Sequence, residues 1–212
     1  LLRCRHPERC RRWGRPSFGA APNRIFRPEA CKSVENIFAV SVFCIIFALN
    51  YSHRQQMADF DINILGCGSA LPTTRHLATS QIVDLRDKLY MIDCGEGTQV
   101  QMRRMRIKFS RLNHIFISHL HGDHCFGLPG LISTLGMLGR NGELVIHGPK
   151  EIESYMRPVL DIFCKGLPYE IRFNLIDPTT HSLVMEDRSL SVYSIPLKHR
   201  IPCCGYLFAE KA

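Results

Sequence analysis

Three imidazoles and a carboxylate fall within six residues, His119-Leu120-His121-Gly122-Asp123-His124, directly behind the apolar run Leu112–Ser118. No other feature constrains this chain as strongly. The run predicts a short strand, and the H-x-H-x-D-H segment that follows it predicts a loop at that strand's C-terminal end. On extended backbone His119 and His121 project to the same side and can grip one metal ion. A turn at Gly122 then lets Asp123 and His124 reach a second. Imidazole nitrogens suit zinc at about 2.0–2.1 Å, and a carboxylate adds a hard oxygen ligand. A lone histidine would be read as a surface or core residue; this cluster, so placed, is read as a metal centre.

The neighbouring elements predict an α/β layered plan with chemistry on the loops after strands. Strands are expected at Phe60–Leu65, Ser80–Leu85, Leu89–Ile92, Glu143–His147, Tyr169–Ile176, Leu190–Ile195 and Gly205–Phe208, with a hairpin around Arg86-Asp87-Lys88. Helical spacing marks Gly97–Ile107, Leu128–Leu138 and Pro149–Phe163. In the last of these Pro149 is expected at the helix start, and Glu151 and Glu153 sit where the helix dipole favours acids.

Net charge does not by itself assign a partner. Of the formal +8, +7 resides in residues 1–56, which hold ten Lys/Arg against three Glu, so residues 57–212 are nearly neutral. Phosphate attraction needs cations clustered on one face, which bulk charge does not establish. Residues 1–56 read as a basic leader, non-native or disordered, ahead of a start at Met57. Its apolar stretch Ile37–Leu49 has thirteen residues, short of the ~20 that a membrane-spanning helix needs, and no small-x-small cleavage site precedes Met57. No stable membrane association is expected. The ten cysteines include no C-x-x-C pair, so free thiols in a reducing cytoplasm are expected rather than a thiolate zinc site or a disulfide scaffold.

The H-x-H-x-D-H segment matches the signature of the metallo-β-lactamase superfamily, and three segments around it are similar to the ribonuclease Z family. They are Leu65-Gly66-Cys67-Gly68-Ser69-Ala70-Leu71-Pro72, Ile92-Asp93-Cys94-Gly95-Glu96-Gly97-Thr98-Gln99, and Ser118 through Leu131. The resemblance covers residues 58–212. It implies an αββα sandwich truncated before its C-terminal part. It also implies an endoribonuclease that removes 3′ trailers from precursor tRNA, leaving a 3′-hydroxyl, with a pair of zinc ions per complete subunit and a homodimeric assembly. Carried over, His119, His121 and His199 would hold the first zinc, and Asp123 and His124 the second. Asp123 would also take the proton of the attacking water, and Asp93 would brace the metal loop. His199, between two strands and ahead of Gly205-Tyr206, would otherwise read as a solvent-exposed loop histidine.

His114, His147, His76 and His181 are expected to be structural or solvated, with His76 the one placed to approach a substrate. A later aspartate, a later histidine and the tRNA-gripping arm of the family are not found before Ala212, so the 212-residue polypeptide is expected to be inactive alone. The loop Pro72–His76 lacks the Lys and Asn of the family's P-x-K-x-R-N pattern, leaving rejection of CCA-bearing ends in doubt. A small-molecule metallohydrolase of the same fold (phosphodiesterase, thioesterase or lactonase) is the alternative, and the apolar Leu128–Leu138 helix is a candidate interface.

Overall fold

A computed structural model describes residues 45–48, 60–71, 73–74 and 76–211, the first of these by backbone alone. Among the described residues ten strands form two sheets. The larger has the order β2-β3-β4-β5-β6-β7 and the smaller β1-β10-β9-β8. In the larger sheet β2 (Asp61–Gly66), β3 (Ser80–Leu85) and β4 (Lys88–Ile92) are antiparallel. From β4 onward the pairing is parallel through β5 (Leu112–Phe116), β6 (Leu144–Pro149) and β7 (Ile171–Ile176). Each parallel step needs a crossover, supplied by α1 (Thr98–Arg104), by α2 (Gly122–Cys125) with α3 (Leu128–Met137), and by α4 (Glu151–Phe163). The smaller sheet pairs β8 (Ser182–Glu186), β9 (Leu190–Leu197) and β10 (Cys203–Glu210) antiparallel, and β1 (Ile45–Ala48) adds parallel to β10.

The period of two along β3, β4 and β5 builds two cores from one sheet. Ile82, Leu89, Met91, Ile115 and Ile117 face the helices, meeting Met102, Leu131, Leu135, Ile152 and Met156. Val83, Leu85, Tyr90, Ile92 and Phe116 face the other way, meeting Val192, Tyr206 and Phe208 of the smaller sheet. Burial on both faces is why these strands read as near-continuous apolar runs. The described residues thus form a helix–sheet–sheet stack, three layers of the expected αββα sandwich.

Local chemistry accounts for most element ends. The hairpin between β3 and β4 turns at Arg86 and Asp87, both at positive φ (47° and 63°), the signature of a type I′ turn whose twist matches the strands. Helix α4 buries Ile152, Met156 and Leu160, one stripe at a spacing of four, against the sheet. Its start differs from the sequence expectation: Pro149 is the last residue of β6, paired opposite Ile176, and the helix begins at Glu151. The apolar side of α3 is occupied by the core, where Leu128, Leu131, Ile132 and Leu135 are buried; Met137 at its end and Leu138 just beyond are exposed. β8 was not expected. It is a short edge strand of half-buried and exposed residues, so no alternation announced it. The apolar stretch Ile37–Leu49 and the rest of the basic leader lie outside the described residues, apart from the backbone of β1. Among the described residues no helix is long and apolar enough to cross a membrane, and the six cysteines are free thiols.

Candidate metal centre

The segment after β5 leaves the sheet at Ile117 and Ser118, and its anchors come from the two flanking strand ends. On one side the turn after β4 puts Asp93 at φ 55°, a left-handed conformation that Asp tolerates better than most residues. Its backbone N–H donates to the Phe116 carbonyl at 2.8 Å, and the Cys94 N–H to the His124 carbonyl at 2.7 Å. Gly127 closes the loop. A Cβ there would come within 2.1 Å of the Gly95 carbonyl oxygen, so only glycine permits the two loops to touch. On the other side the Cys204 N–H donates to the Ser118 carbonyl at 3.1 Å and the Tyr206 hydroxyl to the Ile117 carbonyl at 2.8 Å. These bonds clamp the start of β10, and with it the His199 loop, against the histidine segment.

The result is convergence. One ligand nitrogen each from His119, His121 and His199 can be chosen so that all lie within 4.8 Å of one another. His119 Nε2 lies 3.0 Å from His121 Nδ1, and His199 Nε2 lies 3.2 Å from the same atom. The buried carboxylate of Asp93 fixes which nitrogens are free. Ionised, it can only accept, so the Ser118 hydroxyl donates to its Oδ2 at 3.0 Å and the Ser118 N–H to its Oδ1 at 2.8 Å. Having spent its proton there, the Ser118 hydroxyl accepts from His119 Nδ1 at 2.9 Å, which leaves the His119 Nε2 lone pair facing the cluster. In the same way Asp93 Oδ2 takes His124 Nδ1 at 2.7 Å and turns His124 Nε2 toward Asp123 Oδ2, 3.5 Å away. Carboxylate–imidazole pairs of this kind orient metal-binding histidines and raise their basicity.

Electrostatics follow the same geometry. Burial, with the nearby His124, His199 and His121, pushes His119 down to about 3, so its imidazole stays neutral and its lone pair available. His199 is lowered by burial and by His121 and His124. His124 goes the other way: burial opposes its charge, but the hydrogen bond and negative charge of Asp93 outweigh it and raise the group. Lone pairs converging on one point repel unless a proton or cation lies among them. The residues present therefore fit a metal ion, with His119, His121 and His199 as one donor set and Asp123 with His124 as an adjoining one.

The centre opens into a cleft of about 480 Å³ whose walls include His76, Glu96, His121, Asp123, Phe126 and Arg200. All five sequence-predicted site residues therefore lie at one place, and His76, the loop histidine expected to approach a substrate, is in the cleft wall. Ser118, Phe126 and Arg200 were not singled out from sequence. Their only signal is adjacency to the histidine motifs, which does not reveal which side chains point inward. His147, expected at the end of its strand as structural or solvated, is buried within β6. It is bonded through Nε2 to His114 Nδ1 at 3.1 Å and through Nδ1 to Asn174 at 2.9 Å.

Fold and site define the class: the described residues have the metallo-β-lactamase fold. Human tRNase Z, short form, superposes with a TM-score of 0.63 at 29% identity, over 70% of this chain and 64% of that one. The metallo-β-lactamase fold protein YhfI from Bacillus subtilis superposes with a TM-score of 0.52 at 16% identity, over 68% of this chain and 56% of that one. Ribonuclease Z of Bacteroides fragilis is 67% identical over 156 residues, 74% of this chain and 51% of the relative. Ribonuclease Z of Porphyromonas gingivalis is 64% identical over 155 residues, 73% of this chain and 51% of the relative. A family profile described as anti-Pycsar protein Apyc1 also matches residues 60–152. Over the aligned stretch the chain belongs with the ribonuclease Z sequences, and it spans about half the length of these curated relatives.

Proposed function

We propose that this chain carries part of the active centre of a zinc-dependent endoribonuclease that removes 3′ trailers from precursor tRNA and leaves a 3′-hydroxyl. The observation that carries the reading is the convergence of His119, His121 and His199 on one point beside Asp123 and His124. His119, His121 and His199 would hold one ion, and Asp123 and His124 a second. Paired divalent ions supply a nucleophile from water at neutral pH and offset charge on the oxygens of an in-line phosphoryl displacement.

The protein's own groups do the positioning. Asp93 holds Ser118 and His124, and through Ser118 it fixes His119, so three groups of the centre are oriented by one buried carboxylate. Asp123, at the cleft wall, accepts the proton of the attacking water; reach matters before basicity in that role. Arg200, one residue beyond His199 and lining the same cleft, presents a guanidinium to a phosphate entering there. Precursor tRNA as partner, a homodimeric assembly and a cytoplasmic location belong to the same reading.

A chimera tests it. Residues 58–212 replace the corresponding stretch of the Bacteroides fragilis ribonuclease Z, and a precursor tRNA is offered with zinc. Trimming that disappears with His121→Ala or Asp123→Ala is expected; a folded chimera that binds zinc and leaves the RNA intact overturns the reading. The cleft volume of about 480 Å³ supports a second reading, since it would admit a small phosphodiester whole. Hydrolysis of bis-p-nitrophenyl phosphate without trimming of precursor tRNA would favour that small-molecule phosphodiesterase.

A further inference from the structure

Phe126 closes the single turn of α2, with its N–H donating to the Gly122 carbonyl at 2.8 Å. The residue is 58% exposed, although Cys125 before it and Leu128 after it are buried. The ring does not hang free in solvent. It is seated on the bare α-carbon of Gly122: a Cβ there would meet Phe126 Cε2 at 2.3 Å and Cζ at 2.5 Å. The absence of a side chain at position 122 makes the seat, and the rest of the ring remains open to solvent. That open part forms a wall of the cleft, with Asp123, Glu96, His76 and Arg200 in the same lining. The part of the lining around His76 is also held, because the His76 N–H donates to the Thr73 hydroxyl at 2.9 Å and that hydroxyl to the His76 carbonyl at 3.3 Å.

An exposed phenyl leaves apolar area in water that any planar partner would cover. A seated aromatic beside metal-ligating groups and a guanidinium offers an unpaired nucleotide two complementary contacts. The ring takes the face of the base, which every base possesses, and Arg200 takes a flanking phosphate. The cleft volume suits one such nucleotide rather than a duplex. We infer that Phe126 is a substrate-positioning residue that stacks on the base of an unpaired RNA nucleotide next to the phosphate to be cut. The inference deepens the RNA-cleaving reading and rests on it.

The test uses the 212-residue chain with zinc and a short single-stranded RNA carrying 2-aminopurine, whose fluorescence is quenched when it stacks. A second RNA carries an abasic site at the same position. The intact chain and Phe126→Trp are expected to quench and bind 2-aminopurine RNA alike, and Phe126→Leu to bind it roughly tenfold more weakly. All three should bind the abasic RNA equally and melt at the same temperature, because an exposed ring contributes little to the core. Equal quenching by Phe126→Leu overturns the inference, and so does no quenching by the intact chain. An equal loss by Phe126→Leu on the abasic RNA also overturns it, since the ring would then act through packing. Trimming by the chimera together with Phe126-independent binding removes the stacking role alone, whereas a folded, inert chimera removes the reading beneath it.

Discussion

Two groups of histidines, one within the strands β5 and β6 and one past the end of β5, show how little residue type decides by itself. His119, His121 and His199 gather past the end of β5; His114 and His147 sit inside the sheets, on β5 and β6. Burial favours the neutral ring in members of both groups: His119 and His147 are pushed down to about 3, His114 to about 4, and His199 is lowered. The difference lies in where the lone pairs go. In the inner group they are consumed: His114 Nδ1 bonds His147 Nε2, His147 Nδ1 bonds the Asn174 side-chain amide, and that amide also donates to the Val184 carbonyl. His147 is further stacked on Phe116, with ring centroids 4.4 Å apart and planes within 6°. In the outer group Ser118 occupies the rear nitrogen of His119, and one nitrogen each of His119, His121 and His199 faces a shared point; beside it Asp93 holds the rear nitrogen of His124 and leaves the front one toward Asp123. A closed hydrogen-bond chain makes a structural element; an open one leaves lone pairs that could hold a ligand.

The comparison breaks most sharply at the outer group. In the chimera, His121→Ala and Asp123→Ala are each expected to lower trimming by about a thousandfold or more, the scale of losing metal-assisted attack. The same changes in the 212-residue chain should reduce bound zinc while leaving its melting temperature without zinc within a few degrees. If zinc content and trimming survive His121→Ala, the outer group is no ligand set. Asp93→Asn comes next. It keeps the shape but weakens the hold on His124 and Ser118, and zinc affinity should fall by about 10–100-fold by equilibrium titration.

For the inner group the expected effects are reversed. His147→Ala opens a cavity under Phe116 and strands His114 and Asn174, costing ~2–4 kcal/mol in urea melts. Zinc stoichiometry per folded molecule should not change, and a loss of zinc in a folded variant would merge the two groups.

The effect of pH on the inner pair, spread over its titration window, is of the same order as that of His147→Ala. Both folded values, about 4 and about 3, lie below the ordinary 6.5. The unfolded chain therefore binds more protons, and stability falls as pH drops below 6.5 toward those values. The pair's contribution is complete above 6.5. Between pH 6 and 4.5 the slope should approach roughly 1 kcal/mol per pH unit for each neutral imidazole. A variant without both rings, His114→Phe with His147→Leu, should lower it to about the part that His119 contributes; an unchanged slope would place the acid sensitivity elsewhere.

Ordinary local chemistry made most of the larger sheet legible. β3 and α3 fall within a residue of their expected bounds, because their apolar periodicity is a local signal, as is a proline, Pro129, in the first turn of a helix. β8 was invisible because an edge strand with one poorly buried face needs no alternation. Pro149 misled because proline opens helices often, yet it also fits the end of a strand where a chain leaves the sheet. The end of β6 was placed too early for the same reason: Gly148 and Pro149 read as a turn, but β7 pairs alongside and carries β6 through them.

The sequence by itself determined the histidine-rich segment, the strand that precedes it and the chemistry those side chains can perform, since residue type and short-range periodicity are local properties. Tertiary structure decided which histidines share a point. His199 joins His119 and His121 across a gap of 78 residues because β10 docks on the end of β5 through Cys204 and Tyr206. His114, only five positions before His119, is turned inward and closed off by His147. Proximity along the chain sets what is possible, and the register of strands far apart in sequence sets which lone pairs remain open.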